Sequence, residues 1–363
     1  MLQRCACGLA DAPRCWYLRI REELINLGAR PSELDNGIFL FFHSQLYGII
    51  ILYVDDIMWA GDENIMQPLI DRLKNTFKIS HENEDTFSYI GVRTFQDSDF
   101  SIKIDQSTYV NSIRPIPLNQ ERLKDIHSQL SEGEIKLLRS ALGQLNWLAN
   151  MTRPDISFTV SNVSSHIKQA TISDIKEVNK LTKHVKTTPS EVIFPSLDTQ
   201  NVEVVVYTDS SFNNLDDGGS QGGQIVFLKD QLNRSCPISW RSTRVGRIAR
   251  STLAAEALSF ADGMDTAEFV HQLADEFQLI KKNSPIIGIT DSRSLYDAAN
   301  TSTQISDRRL RVEISAIRDT KDKGEIDIVW TNKENQLADV LTKKGASPHN
   351  LLEAVGRGRI QLH

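Results

Sequence analysis

Two β-branched segments of this chain, Val202 to Tyr207 and Ile286 to Thr290, run straight into the pairs Asp209-Ser210 and Asp291-Ser292. An apolar strand that ends on a carboxylate restricts the fold, because the strand must be buried while the acid must emerge. In α/β sheets such strand ends lie where side chains leave the core for a crevice. The glycine-rich stretch Asp216-Asp217-Gly218-Gly219 and Gly222-Gly223 supplies turn chemistry before a strand at Gln224 to Leu228, and Ile238 to Arg241 reads as a third strand. Ser251 caps a long helix to Phe277, with apolar positions at Leu253, Ala257, Leu258 and Ala261. A helix follows Asp291 directly. Arg308 to Asp319 reads as a helix, Ile326 to Trp330 as a strand, and Gln336 to Lys343 as a last, short amphipathic helix. Three meandering strands followed by alternating helices and strands predict a mixed sheet flanked by helices.

Two further acids belong to this pattern. Glu256 falls in the first turns of the long helix among the small residues Ala254, Ala255 and Ala257, which let another element approach closely, and Asp339 lies on the last predicted helix. Singly each acid is unspecific: an Asp after a strand most simply caps a turn or a helix, and a helical Glu most simply faces water. Together, four carboxylates without histidine or thiolate are hard oxygen ligands suited to Mg2+ or Mn2+ rather than zinc. Two such ions about 4 Å apart would clamp the attacking water and the leaving oxygen of an in-line phosphodiester displacement. Without cations the acids would repel one another, so the site presupposes the metal.

The N-terminal third has a different pattern. A helix signal at Trp16 to Leu27 precedes strands near Gly37 to Phe42, Leu46 to Val54 and Ile57 to Ala60, with Asp55 and Asp56 at the turn between the last two. Adjacent aspartates between apolar strands are unusual, since burying an unpaired charge is costly. Strands also read around Thr86 to Phe95 and Phe100 to Ile104. The stretch 116–195 is mainly helical, with Leu137, Leu138, Ala141, Leu142, Leu145 and Leu148 at helical spacing and a break at Arg153-Pro154. The Tyr53 and Trp147 rings could stack on bases or sugars, but aromatic residues in apolar strands and helices ordinarily pack, and they read as packing residues.

The formal charge of −6 over 363 residues argues at first sight against a nucleic-acid binder. The local distribution qualifies this: Arg241, Arg244, Arg247 and Arg250 form one basic run beside the candidate ligands, and Arg308, Arg309 and Arg311 another, placing phosphate contact level with a plain solvated face. The longest apolar run, Tyr47 to Val54, is far short of a membrane span, and no secretory leader is expected. Four cysteines, three of them at Cys5, Cys7 and Cys15, read as reduced thiols of an intracellular protein, cytoplasmic or nuclear.

The motifs resemble a known family. Tyr207-Thr208-Asp209-Ser210-Ser211-Phe212, Ser251-Thr252-Leu253-Ala254-Ala255-Glu256, Thr290-Asp291-Ser292-Arg293-Ser294-Leu295 and Gln336-Leu337-Ala338-Asp339-Val340-Leu341-Thr342-Lys343 look like the four blocks of the ribonuclease H domain in Ty1/copia-type retrotransposon Pol polyproteins. Tyr53-Val54-Asp55-Asp56 is similar to the Tyr-x-Asp-Asp hairpin of reverse transcriptases. Gly8 to Tyr17, Ser88-Tyr89-Ile90-Gly91-Val92, Gly143 to Leu148 and Thr152 to Ile156 resemble the blocks around it. The resemblance implies a fold of α/β and α+β parts: a partial reverse-transcriptase palm over 1–115, a helical thumb- or connection-like segment over 116–195, a ribonuclease H-like mixed sheet over 196–345 and a tail over 346–363. It implies Asp209, Glu256, Asp291 and Asp339 as catalytic ligands of two Mg2+ or Mn2+ ions, and Asp55 and Asp56 as metal-binding residues of the polymerase motif. Arg241, Arg244, Arg247, Arg250, Arg308 and Arg309 are candidate nucleic-acid contacts, with Ser210, Asn213 and Gln221 as candidates near Asp209.

Two departures from the family pattern are visible. Cellular ribonucleases H often carry a histidine on a loop before the fourth acid, and none lies between Asp291 and Asp339. Reverse transcriptases take a further aspartate from a strand upstream of the hairpin, and neither Asp11 nor Asp35 matches it. The expectation is therefore a Pol fragment that hydrolyses RNA in RNA–DNA hybrids but does not polymerise alone. Its partners would be the hybrid and other Pol segments such as protease and integrase, with no membrane. The alternatives are a nuclease of the same fold acting on DNA junctions and a non-catalytic nucleic-acid-binding relic.

Overall fold

The computed structural model describes residues 10–79, 83–281, 283–302 and 305–362. Cys5, Cys7 and the Gly8-Leu9 start of the first N-terminal block lie outside them. The chain divides into two units, Met1–Gly91 with Gln272–Leu279, and Val92–His271 with Ile280–His363. The division after Gly91 puts the strands and loops from 92 to 115 with the C-terminal unit, earlier than the boundary expected at 115.

In the first unit, Pro13 suits the opening turn of α1 (Ala12–Asn26), where no amide hydrogen is needed. Strands β1 (Arg30–Pro31), β2 (Ile38–Phe42), β3 (Leu46–Tyr53) and β4 (Asp56–Gly61) form an antiparallel sheet in that order. Helix α2 (Glu63–Phe77) starts at Asp62, whose carboxylate accepts from Asn64 N at 3.0 Å. Ile20 and Leu24 of α1, Phe39, Phe41 and Ile50 of the sheet, and Met66, Ile70 and Leu73 of α2 make the core. Gly48 is required there, because a Cβ would overlap the Met66 sulfur. Strand β5 (Thr86–Tyr89) closes the stretch.

The second unit begins with β6 (Val92–Gln96) and β7 (Ile102–Asp105), which pair antiparallel, and β7 also pairs with β8 (Val192–Phe194). Between them run α3 (Ser107–Ser112), α4 (Glu132–Met151), α5 (Ser157–Ser165) and α6 (Ile172–Thr187). A capping box starts α4, with Ser131 and Glu134 satisfying each other's backbone amides. Leu138, Leu142 and Leu145 of α4 meet Val160 and Val163 of α5 and Ile175 and Val178 of α6 in one core. Below it, buried Arg153 holds Asp155 through two 2.8 Å hydrogen bonds and donates to Thr188 O at 2.8 Å. The break expected at Arg153-Pro154 is therefore an ion-paired knot between α4 and α6.

The remaining elements are β9 (Glu203–Ser211), β10 (Gln221–Lys229), β11 (Ser235–Arg244), α7 (Thr252–Glu276), β12 (Ile286–Thr290), α8 (Arg293–Asn300), α9 (Arg308–Asp322), β13 (Ile326–Trp330) and α10 (His349–Arg357). The sheet order is β11-β10-β9-β12-β13, antiparallel across the first three strands and parallel from β9 through β12 to β13. This is the mixed sheet expected, and a ribonuclease H-like topology. Helix α7 lies on the face of Val206 and Thr208: a Cβ on Gly263 would meet Thr208, and one on Gly288 would meet Phe260. The opposite face packs Val205, Tyr207 and Ile289 against Ala338, Leu341, Leu351 and Val355.

Three expectations need correction. Strand β9 continues to Ser211, so Asp209 sits inside the ladder, opposite Gly223. The helix expected at Gln336 to Lys343 is only a 3-10 turn, Asp339–Leu341. The supposed tail contains α10, whose Leu351, Ala354 and Val355 are buried and which ends at Gly358 in a left-handed conformation. Among the described residues no helix is long and apolar enough to cross a membrane, and Cys15 and Cys236 are unpaired.

Candidate active site

The parallel register of β9 and β12 sets Tyr207 against Ile289, so two residues further on Asp209 comes alongside Asp291. Period-two alternation keeps Asp209 on the face of Tyr207, towards the 3-10 turn that starts with Asp339. From the other face α7 presents Glu256 one turn before Ser259, whose hydroxyl donates to Asp209 O at 2.7 Å. The chain therefore gathers all four sequence-predicted acids at one end of the sheet.

Their environments differ. Asp209 is 2% exposed and Glu256 5%. Burial raises the Asp209 carboxyl from 3.8 to about 6, held from rising further by Lys343 and the Thr342 hydroxyl and pushed upward by Asp291 and Asp339. Burial, then the charges of Asp209 and Asp291, raise Glu256 from 4.5 to about 9. One Glu256 oxygen, Oε2, is buried with no hydrogen-bond partner. Asp291 and Asp339 are half-buried. The Asp291 carbonyl accepts from Trp330 Nε1 at 3.1 Å.

The 3-10 turn is tied to the sheet by polar bonds. Gln336 Nε2 donates to Thr208 O at 2.9 Å, Ser242 Oγ donates to Leu341 O at 2.5 Å, and Thr342 Oγ1 donates to the Asp209 carboxylate. Lys343 Nζ bridges Asp209 Oδ2, at 3.3 Å, and Asp339 Oδ1. Burial works against the Lys343 charge, but Asp209 and Asp339 outweigh it and raise its pKa to about 12. Among the described residues no three acids or other metal-binding side chains form a ready ligand set. The quartet is gathered but not closed into a cage, and its one internal counter-charge is Lys343.

Lys343, Thr342 and Trp330 were not assigned site roles from sequence. The signal for Lys343 was present, four residues after Asp339, but on a helix that spacing ordinarily marks a surface ion pair. Gln221, a candidate substrate contact, is buried and donates to Ser161 Oγ and Ser242 Oγ at 3.0 and 2.9 Å, so its amide is committed to packing. Asn213 is exposed and Ser210 buried. Of the basic residues, Arg244 pairs with Asp217 and Arg247 with Glu313, which neutralises half of the first run. Arg241, Arg250, Arg308 and Arg309 are exposed, with Arg241 near Asp262 and Arg250 and Arg309 near Asp307.

In the first unit Asp55 and Asp56 stand exposed at the β3–β4 turn, with Asp56 opposite Tyr53. Val54 adopts a φ of +55°, a left-handed conformation unusual for a β-branched residue, and its carbonyl accepts from Trp16 Nε1 at 2.8 Å. Tyr53 is 54% exposed, against the expectation that it packs. Asp35 serves a turn, its carboxylate accepting from Gly37 N at 2.7 Å.

Residues 1–121 match the family model described as reverse transcriptase (RNA-dependent DNA polymerase). The chain is 25% identical over 354 residues to the retrovirus-related Pol polyprotein from transposon RE2 of Arabidopsis thaliana, covering 94% of this chain and 24% of that protein. It is 26% identical over 255 residues to the putative transposon Ty5-1 protein of Saccharomyces cerevisiae, covering 66% of this chain and 79% of that one. It thus spans about a quarter of the length of the first of these relatives. Among solved structures, the foamy viral protease-reverse transcriptase in complex with an RNA/DNA hybrid aligns with a TM-score of 0.46 and 14% identity, covering 95% of this chain and 41% of that one. LC11-RNase H1 from compost aligns at 0.30 and 15%, covering 39% and 92%. The sequence relationships and the sheet topology support a Ty1/copia-type retrotransposon Pol fragment, with reverse transcriptase sequence followed by a ribonuclease H-like fold.

Proposed function

We propose that the C-terminal sheet hydrolyses the RNA strand of RNA–DNA hybrids, with Asp209, Glu256, Asp291 and Asp339 as its catalytic residues. The observation that carries this reading is Glu256: a carboxylate 5% exposed, with one oxygen unpartnered, beside a second buried carboxylate at Asp209. A buried acid in that position is costly unless a cation completes it. The donor set is all oxygen, which fits Mg2+ or Mn2+. Two such ions, held by the four acids, would supply an activated water and stabilise the leaving oxygen. The chain's own part is positional. The ladder, which ends at the Tyr207–Ile289 pair, leads Asp209 and Asp291 towards one another, Trp330 anchors the Asp291 backbone, and the Gln336 and Thr342 side chains fasten the turn that carries Asp339.

Hybrid preference would come from contacts to 2′-hydroxyls, for which exposed Asn213 remains a candidate while the buried Ser210 hydroxyl does not, and from phosphate contacts by Arg241, Arg250, Arg308 and Arg309. Asp55 and Asp56 stand exposed at their turn, and neither Asp11 nor Asp35 matches the further upstream aspartate of reverse transcriptases, so nucleotide incorporation is not proposed for this chain alone. Since the Pol relatives are about four times as long, other Pol segments such as protease and integrase are proposed partners in the intact polyprotein.

A labelled RNA–DNA hybrid incubated with the protein and Mg2+ or Mn2+, beside Asp291→Asn, tests the proposal. Cleavage by the wild type and none by the variant supports it. Hybrid binding without cleavage by either favours the non-catalytic relic, a reading to which the Lys343 ammonium between Asp209 and Asp339 lends support.

A further inference from the structure

The ammonium of Lys343 is bound to the same two carboxylates that a divalent ion must reach. One Asp209 oxygen also receives the Thr342 hydroxyl, so Thr342 and Lys343 together hold that carboxylate in its present position. The neighbouring Lys344 points elsewhere, to Glu177 of α6 at 2.8 Å. Lys343 is a third exposed at its side chain, on a flexible four-carbon stem that can carry its charge out to water.

A divalent ion and an ammonium a few ångströms apart repel strongly in a poorly hydrated site, and the ammonium's bonds must break before the oxygens are free to coordinate. We propose that Lys343 is a positioning residue, a resident counter-cation that holds Asp209 and Asp339 together in the metal-free protein and is displaced when the first divalent ion binds. The inference rests on the metal reading of the four acids. It explains why these acids are gathered yet present no ready ligand set: one position among them is taken by a side chain of the protein itself.

Lys343 therefore trades metal affinity for stability without metal. Replacing it with a neutral side chain leaves the site one charge more negative, so divalent ions bind more tightly while the metal-free protein is weakened. The test is Mn2+ binding to the full chain at pH 7.5, by calorimetry, for the wild type, Lys343→Met, Lys343→Arg and Lys344→Met, with melting in EDTA alongside. Lys343→Met is expected to bind Mn2+ at least tenfold more tightly than wild type and to melt lower in EDTA. Lys343→Arg, which keeps the charge, and Lys344→Met should both stay close to wild type. Should Lys343→Met not fold in EDTA, the side-chain nitrogen resonance of Lys343 in the wild type carries the test, and it should shift on saturation with Mg2+. Equal or weaker Mn2+ binding by a folded Lys343→Met, or a lysine resonance unmoved by Mg2+, overturns the proposal while leaving the metal site standing. A wild type that binds no Mn2+ at millimolar concentration overturns both.

Discussion

Glu256 makes the metal-free protein less stable than it need be. In the unfolded chain its carboxyl titrates near 4.5, whereas in the fold it is raised to about 9 by burial and by Asp209 and Asp291. A carboxyl with a raised folded pKa imposes no cost below about pH 4.5, and stability is then lost steadily as pH rises towards 9. At pH 7 the gap from 4.5 corresponds to about 3 kcal/mol, at about 1.4 kcal/mol per unit. Glu256→Gln removes that cost but leaves a buried amide short of partners, a penalty of about 1 kcal/mol. The net expectation in EDTA at pH 7 is a gain of about 2 kcal/mol, or about 6 °C in melting temperature for a unit of this size. Urea unfolding at pH 7 and pH 5 reads this directly, because at pH 5 the carboxyl penalty has nearly vanished and the advantage of the variant with it. With Mn2+ the order should reverse, since only the wild type retains the full ligand set. A variant less stable than wild type at pH 7 in EDTA, or one whose advantage is the same at both pH values, refutes the argument.

Three further outcomes follow from packing and pairing. Arg153→Met strands the buried Asp155 carboxylate, which Arg153 and His184 hold below its usual pKa against burial, and should cost about 3–5 kcal/mol in urea unfolding; Asp155→Leu in the same chain should recover part of that loss. Gly223→Ala would place a methyl 2.7 Å from both Leu341 and Thr342 side chains, pushing the Asp339 turn off the sheet, and should reduce hybrid cleavage at least tenfold while circular dichroism stays unchanged. Val54→Gly relieves a left-handed β-branched residue at the Asp55–Asp56 turn and should raise stability by up to about 1 kcal/mol; a loss would mean that the Val54 side chain, not the backbone, stabilises that turn.

Much of the fold was legible because its strands are β-branched and its glycines cluster. The strand at Ile286 to Thr290 and the one at Ile326 to Trp330 fall where the pattern put them, and Ser251 Oγ accepts from Ala254 N at 3.1 Å as the cap it resembled. The helix read into Gln336 to Lys343 failed for a physical reason. Leu337, Val340 and Leu341 have helical spacing, but the Leu341 and Thr342 carbonyls accept from Ser242 and Asn214 side chains, so tertiary bonds replace the helical ones. Helix α10 was overlooked even though Leu351, Ala354 and Val355 carry an ordinary amphipathic signal. The four acids were named from sequence, but the lysine among them was not, because only the folded chain shows which carboxylates an ammonium meets. Gln221 misled in the opposite direction: closeness to Asp209 along the chain said nothing about which way its amide turns.

The parallel pairing of β9 with β12 has a consequence for how this site can change over time. Neighbouring strands stand about 4.8 Å apart whatever their sequence, so the interval between Asp209 in β9 and Asp291 at the end of β12 belongs to the backbone and is indifferent to the loops at 212–220 and 245–250. Insertions, deletions and sequence drift in those loops can reshape what approaches the sheet without widening or narrowing that interval. Only a slip in strand register would do so, and a slip of one residue would also turn a whole β-branched face out of the core.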